Sequence, residues 1–253
     1  MAESFGTDPE RYDRSRPSYP QAMIDAILAA SPGLDVLDVG VGTGIAARQF
    51  QAAGARVLGV DVDARMADFA RRHGTEVEVG AFEGWEPDGR SFDLVIAGQT
   101  WHWIDPVAGA AKAAQALRPG GRLAVFWNAF EPPPALAAAT AEVYRQAMPT
   151  RPAGSSRARS AADGYSLMAA KAAEGIRQTG DFAEPEEWRF HWQRCYTRDE
   201  WLDQLPTSGN LTTAPPDKLE ALLAGVSAAI DSIGGSLTAD YTTVVGTATR
   251  TAS

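Results

Sequence analysis

LDVGVGTG, residues 37–44, decides the fold. An apolar run at 36–39 is read as a buried strand. Gly40, Gly42 and Gly44 turn the chain, because glycine tolerates the positive φ a tight strand-to-helix turn needs. IAARQFQAAG (45–54) follows, with Ile45, Ala46, Phe50 and Ala53 on one helical face and Gly54 as the stop. VLGVD (57–61) is a second buried strand ending in Asp61, and ARMADFARRH (64–73) a helix closed by Gly74. Val77 and Val79 mark a short third strand, and FDLVIAG (92–98) a fourth, apolar throughout as in a strand covered on both faces. DPVAGAAKAAQAL (105–117) reads as a helix ended by the RPGG turn, RLAVFW (122–127) as a fifth strand, and YPQAMIDAILAA (19–30) as a helix ahead of them all. This alternation predicts a parallel sheet with helices on both faces, whose ligands sit at the carboxyl ends of the strands.

Downstream the grain changes. EPPP (131–134) breaks the chain and residues 135–148 form an Ala-rich helical stretch. Residues 149–163 are a polar loop carrying Arg151, Arg157 and Arg159, and 165–178 are helical. WRFHWQRCYT (188–197) has strand character. Thr197 with Glu200 is a capping-box pattern opening a helix over 197–205. Residues 219–233 form an amphipathic helix and 237–250 a last strand.

The glycine loop and Asp61 together indicate a nucleoside ligand, since an acid about 20 residues after such a loop is placed to accept hydrogen bonds from ribose hydroxyls. Two cofactors use this layout. A dinucleotide site wants G-x-G-x-x-G, with the pyrophosphate on the helix N-terminus. Here the third glycine comes one residue early, and Asp38 would stand poorly beside a pyrophosphate but well beside an ammonium. A nucleoside with an amino-acid tail fits better. An NAD(P)-dependent oxidoreductase is the alternative.

VLDVGVGTG with VLGVD resembles the cofactor site of class I S-adenosylmethionine-dependent methyltransferases. FDLVIAGQTWHWID (92–105) and LRPGGRLAVF (117–126) resemble the same family's fourth- and fifth-strand motifs. The opening Tyr12-x-x-x-Arg16-Pro17-Ser18-Tyr19-Pro20 is similar to the head of a bacterial small-molecule subgroup that includes trans-aconitate and quinone-biosynthesis methyltransferases. The resemblance implies a Rossmann-like seven-stranded α/β sheet, mostly parallel with the last strand antiparallel, helices on both faces and a small helical cap. It implies an N-terminal helical arm or lid (1–30), a cofactor-binding core (31–128), a substrate cap with the sixth strand (129–205), and a C-terminal helix and strand completing the sheet (206–253). It also implies S-adenosylmethionine as cofactor, S-adenosylhomocysteine as product, and transfer to an O, N or C nucleophile of a small molecule. A non-catalytic protein that binds S-adenosylmethionine is a further alternative.

By the same resemblance, Gly40, Gly42 and Gly44 underlie the methionine and ribose, Asp38 faces the amino group and Asp61 clamps the ribose. Val62 and Met66 cover the adenine. Ala81 stands where many relatives have an adenine-binding Asp, which passes that contact to the backbone near Ala81 and Phe82 or to Glu83. Gly98 and Gln99 border the sulfonium, and Tyr12 and Arg16 are candidates for the carboxylate end.

Methyl transfer needs alignment more than electrophilic help. A base is required only where the nucleophile must lose a proton. His102, between Trp101 and Trp103 after the fourth strand, is the candidate base or hydrogen-bond partner; the alternative is an imidazole fixing its loop. His73 reads as a solvated helix end. Trp101, Trp103 and Trp127, with Asn128, are candidates for the wall around a flat or hydrophobic acceptor. Trp85, Phe130, Trp188, Phe190, Trp192 and Trp201 belong to the same aromatic group, most of it core packing.

With 23 Lys+Arg against 32 Asp+Glu the net charge is −9, which disfavours a nucleic-acid partner. The one cysteine, Cys195, forms neither an internal disulfide nor a cysteine zinc site. No metal site is expected. A polar N-terminus and the lack of a long apolar run point to a cytoplasmic protein away from membranes, as monomer or homodimer.

Overall fold

The computed structural model describes residues 6–147, 161–208, 211–212 and 214–251. Seven strands form one sheet in the order β3-β2-β1-β4-β5-β7-β6. They are β1 (Asp35–Val39), β2 (Arg56–Asp61), β3 (Glu76–Val79), β4 (Phe92–Gly98), β5 (Leu117–Glu131), β6 (Glu186–Thr197) and β7 (Ser236–Thr249). The first five run parallel, and β7 lies antiparallel between β5 and β6. The helices are α1 (Pro9–Ser15), α2 (Gln21–Ala29), α3 (Ile45–Ala52), α4 (Ala64–Arg72), α5 (Pro106–Ala116), α6 (Pro134–Ala147), α7 (Ala161–Thr179), α8 (Arg198–Gln204) and α9 (Pro216–Ser232).

The central strands are apolar on both faces because each face is covered. Leu37, Val39, Val95 and Val125 pack on one side with α5 and α7, while Val36, Leu94, Ile96 and Phe126 pack on the other with α2 and α3. A third cluster joins Leu136, Tyr196, Trp201, Leu222, Val226, Ile230 and Tyr241 beneath α6, α8 and α9. Thr197 and Glu200 make the capping box at the start of α8.

Three boundaries differ from the sequence reading. The RPGG stretch lies inside β5, which starts at Leu117 and slips register against β4 between Phe92 and Leu94. Gly120 at φ +80 bends it there without ending the ladder. Strand β6 starts at Glu186, ahead of the expected residue 188. Helix α7 begins at Ala161, so Ala161–Asp163 are helical rather than loop. The rest of the basic loop, with Arg151, Arg157 and Arg159, lies outside the described residues. Among the described residues no helix is long and apolar enough to cross a membrane.

Candidate functional site

The strand order reverses between β1 and β4, and the loops leaving those strands at their carboxyl ends open the crevice where such sheets bind ligands. A cavity of about 870 Å³ occupies it. Its floor is the glycine loop. The amides of Gly40 and Val41 donate to the Val60 carbonyl at 2.7 and 3.2 Å, fastening the loop to β2. Gly40, Gly42 and Gly44 all have positive φ. At Gly40 a Cβ would collide with Thr100, whose hydroxyl donates to the Gly40 carbonyl. At Gly42 a Cβ would meet nothing within 4 Å, so the missing side chain opens onto the cavity.

Asp61 closes β2 with Oδ2 accepting from the Gly42 amide and Oδ1 from the Asp63 amide, each at 2.8 Å. It both lines the cavity and holds the loop. Burial raises its pKa, opposed by those two amides. Asp38 on β1 is 1% exposed, and its Oδ2 has no partner. Burial first, then the charge of Asp61, pushes its carboxyl up to about 8. A carboxylate buried against another, with a lone pair directed at nothing, is a site built for a cation.

Val62, Met66, Ala81, Phe82 and Glu83 line one end of the cavity, and Gly98, Gln99 and Thr100 its middle. Gln99 carries φ +58, an uncommon conformation for a side-chain-bearing residue. Its amide donates to the Phe126 carbonyl at 2.8 Å, which fixes the turn. Gly98 is required because Tyr19 leans over it: a Cβ there would stand 2.7 Å from the Tyr19 hydroxyl oxygen. Tyr12, Arg16, His102, Trp103 and Asn128 also line the cavity.

Gly44, Trp101 and Trp127 do not reach it. Gly44 is the left-handed N-cap of α3, and a Cβ there would face Arg48, Thr75 and Ala70, toward α4. Trp101, 2% exposed, and Trp127, fully buried, belong to the core rather than to an acceptor wall. Both point into the layer under α5 and α7 because that layer is where apolar volume is needed. Trp127 still acts on the site: its indole Nε1 donates to His102 Nδ1 at 3.2 Å. Asn128 takes a positioning place, donating to the Ser18 carbonyl and accepting from Thr243.

The other aromatic candidates divide. Phe130 and Trp201 line the cavity. Trp85 is core and donates to Glu78. Trp188 sits under the Arg122 guanidinium, and Trp192 stacks on Tyr241 at 4.5 Å. His73 caps α4 with its ring stacked on Phe69. His191 bonds Thr242 across β6 and β7. Residues the sequence did not single out complete the cavity, among them Tyr19, Thr100, Tyr165, Gln204 and Tyr241. Tyr19 lay within the quoted N-terminal motif; the last three come from elements far apart in sequence, with no spacing to join them. Among the described residues no group of three His, Cys, Asp or Glu could hold a metal ion.

Comparison with known proteins places this geometry. Residues 37–125 match the family model described as a methyltransferase domain. An uncharacterised methyltransferase of Mycobacterium tuberculosis is 40% identical over 130 residues, 51% of this chain and 53% of that protein. A ubiquinone biosynthesis O-methyltransferase of Hahella chejuensis is 36% identical over 103 residues, 38% of this chain and 43% of its own length. The chain thus spans about half the length of the Mycobacterium relatives it matches. In three dimensions it is similar to a type II methyltransferase of Anaeromyxobacter dehalogenans, with TM-score 0.65 at 22% identity over 93% of this chain and 97% of that one. A second similar structure is a phosphoethanolamine N-methyltransferase of Haemonchus contortus in complex with phosphomonomethylethanolamine and S-adenosylhomocysteine. Its TM-score is 0.55 at 16% identity over 100% of this chain and 60% of that one. Residues 37–125 are thus similar to a methyltransferase domain, and the Rossmann-like sheet that carries them is similar to that of solved methyltransferases.

Proposed function

We propose that the protein transfers the methyl group of S-adenosylmethionine to an O, N or C nucleophile of a small molecule. The observation that carries this reading is Asp38: a buried carboxylate with an unpartnered oxygen at the floor of a cavity that Gly42 leaves open. It fits an ammonium and repels a pyrophosphate, which disfavours the nicotinamide alternative. When bound, the cofactor supplies a methyl carbon already activated by its sulfonium. Asp38 would hold the amino group, the Asp61 carboxylate the ribose hydroxyls, and Val62, Met66 and Phe82 the flat face of the base. Gly98 and Gln99 would border the reacting carbon, and the described parts of the 1–30 arm and of the 129–205 segment would frame the acceptor side.

His102 acts in this reading as a donor. Indole N–H only donates, so Nδ1 must accept and the neutral ring carries its proton on Nε2. Desolvation lowers the pKa of the ring, so it stays neutral below the ordinary imidazole range. Taking up a proton would leave two N–H groups facing each other at Trp127. His102 therefore orients an acceptor atom rather than deprotonating it. His102→Ala is expected to raise the acceptor KM and lower kcat by about 10-fold, the scale of one lost hydrogen bond, with S-adenosylhomocysteine affinity unchanged. A loss near 10³-fold with a sigmoidal pH–rate profile would assign it as a base instead.

Gly42→Val would place a branched side chain in the cavity and cost about 1–2 kcal/mol for its left-handed backbone. A native circular dichroism spectrum with no detectable cofactor binding is expected; intact binding would contradict the proposed cradle. Incubation with methyl-labelled S-adenosylmethionine and a broad acceptor panel tests the function itself. Label in a small-molecule product supports transfer. Tight cofactor binding with no product from any acceptor would make the protein a non-catalytic binder.

A further inference from the structure

The cavity is also lined by Phe130, Tyr165, Trp201, Gln204, Leu205 and Tyr241. This lining is mostly aromatic and apolar, yet two buried polar atoms there lack partners: Arg16 Nε and Gln204 Oε1. Arg16 is the one lysine or arginine among the described residues lining the cavity. It pairs with no carboxylate: one Nη2 bond goes to the Thr207 carbonyl at 2.7 Å, and the guanidinium lies 5.1 Å from the centre of the Tyr12 ring. Gln204 is 7% exposed and its side chain already bonds the Tyr241 hydroxyl, leaving Oε1 free. The two groups are held in register, because Arg11 and Arg14 of α1 both pair with Asp203, next to Gln204 on α8.

A guanidinium N–H without an acceptor calls for an anion. A free amide oxygen calls for an O–H or N–H. Two anions compete for Arg16: the carboxylate of the cofactor's amino-acid tail and a charged group on the acceptor. The ammonium and carboxylate of one amino acid share a carbon. An arginine gripping that carboxylate would therefore stand close to Asp38. Arg16 is tied beside Gln204: its Nη2 donates to the Thr207 carbonyl, three residues further along the chain. The field of Arg16 reaches the phenols of Tyr165, Tyr196 and Tyr241, and that of Tyr19 as well, where it opposes the upward push of burial.

We infer that the methyl acceptor is an anionic small molecule with a flat or apolar body, its charged group bound by Arg16 and a neighbouring hydroxyl or amine hydrogen received by Gln204. The body packs against Phe130, Trp201 and Tyr241. Arg16 thus serves specificity toward the acceptor rather than affinity for the cofactor. This inference rests on the methyl-transfer reading above.

The test uses the full chain loaded with S-adenosylhomocysteine and paired probes: 4-hydroxybenzoate against 4-hydroxybenzamide, indole-3-acetate against indole-3-acetamide, and phenyl phosphate against phenol. In calorimetric titrations at least one acid is expected to bind about 10-fold or more tightly than its neutral partner, the scale of a charge-assisted bond. Arg16→Met should erase that preference, Arg16→Lys should retain part of it, and both should bind S-adenosylhomocysteine like the parent. If no acid outbinds its neutral partner, the inference is overturned. It is equally overturned if Arg16→Met weakens S-adenosylhomocysteine about 10-fold while 5′-methylthioadenosine, which lacks the carboxylate, binds unchanged; Arg16 then belongs to the cofactor. Failure of the parent protein to bind S-adenosylhomocysteine at all would overturn the methyl-transfer reading instead, a result read before any acid is added.

Discussion

Asp61→Ala is expected to weaken S-adenosylhomocysteine binding by roughly 30- to 150-fold, the equivalent of about 2–3 kcal/mol. Two losses combine. The ribose hydroxyls lose a charged acceptor in a buried place, and the glycine loop loses its tie, because the Gly42 amide donates to Asp61 Oδ2 at 2.8 Å. Asp61→Asn separates the contributions. An amide oxygen can still receive one backbone N–H, so the loop is held while the charge is gone, and an intermediate loss is expected. Calorimetry on both variants, with circular dichroism to confirm folding, measures the effect. Unchanged affinity in Asp61→Ala would remove the proposed ribose contact.

The second large effect lies at Asp38. Its folded carboxyl has a pKa of about 8, above the unfolded value near 3.9. The folded ligand-free protein therefore binds a proton that the unfolded chain gives up between those values. Stability from this group is fully present below about pH 4 and is lost as pH rises through about 8. Asp38→Asn cannot ionise and should escape that loss. It is expected to melt several degrees above the parent near pH 8 and above, with the difference vanishing near pH 4. The same substitution should weaken cofactor binding about 100-fold, because the ammonium loses its buried counter-charge. In the parent, binding at pH 7 should release close to one proton, so the observed heat should vary with the ionisation enthalpy of the buffer. Heat independent of buffer, together with a parent and variant of equal affinity, would contradict the role of Asp38.

The proposed cofactor half of the site was legible in the sequence because it is local. A glycine turn, an acid two residues before it and an acid ending the next strand are fixed by backbone geometry over short spacings. Asp38, Gly40, Gly42, Asp61, Met66 and Gln99 accordingly line one cavity. What sequence order could not supply was direction. Trp101, His102 and Trp103 are consecutive in one short turn, yet Trp101 is 2% exposed and Trp103 is 44% exposed. Only packing against α5 and α7 decides which ring turns inward. Trp127 was likewise read as a wall; it is a buried donor that sets the tautomer of His102.

The proposed acceptor half was not legible because it is assembled from distant segments. Arg16 follows α1, Tyr165 lies on α7, Gln204 on α8 and Tyr241 on β7. No periodicity relates them, and they meet because β6 and β7 pair along their full length and bring α8 over the cavity. Gly98 illustrates the same lesson on a smaller scale. Its place at a strand end was evident, but the reason for a glycine is the Tyr19 hydroxyl above it.

One titration tests the central claim most directly. S-adenosylhomocysteine and NADH are each titrated into the ligand-free protein at pH 7 and again at pH 9, with heat as the readout. A carboxylate-floored cavity for a nucleoside bearing an amino-acid ammonium should give saturable binding of S-adenosylhomocysteine, tighter at pH 9, and no binding of NADH. Saturable binding of NADH with none of S-adenosylhomocysteine would contradict it.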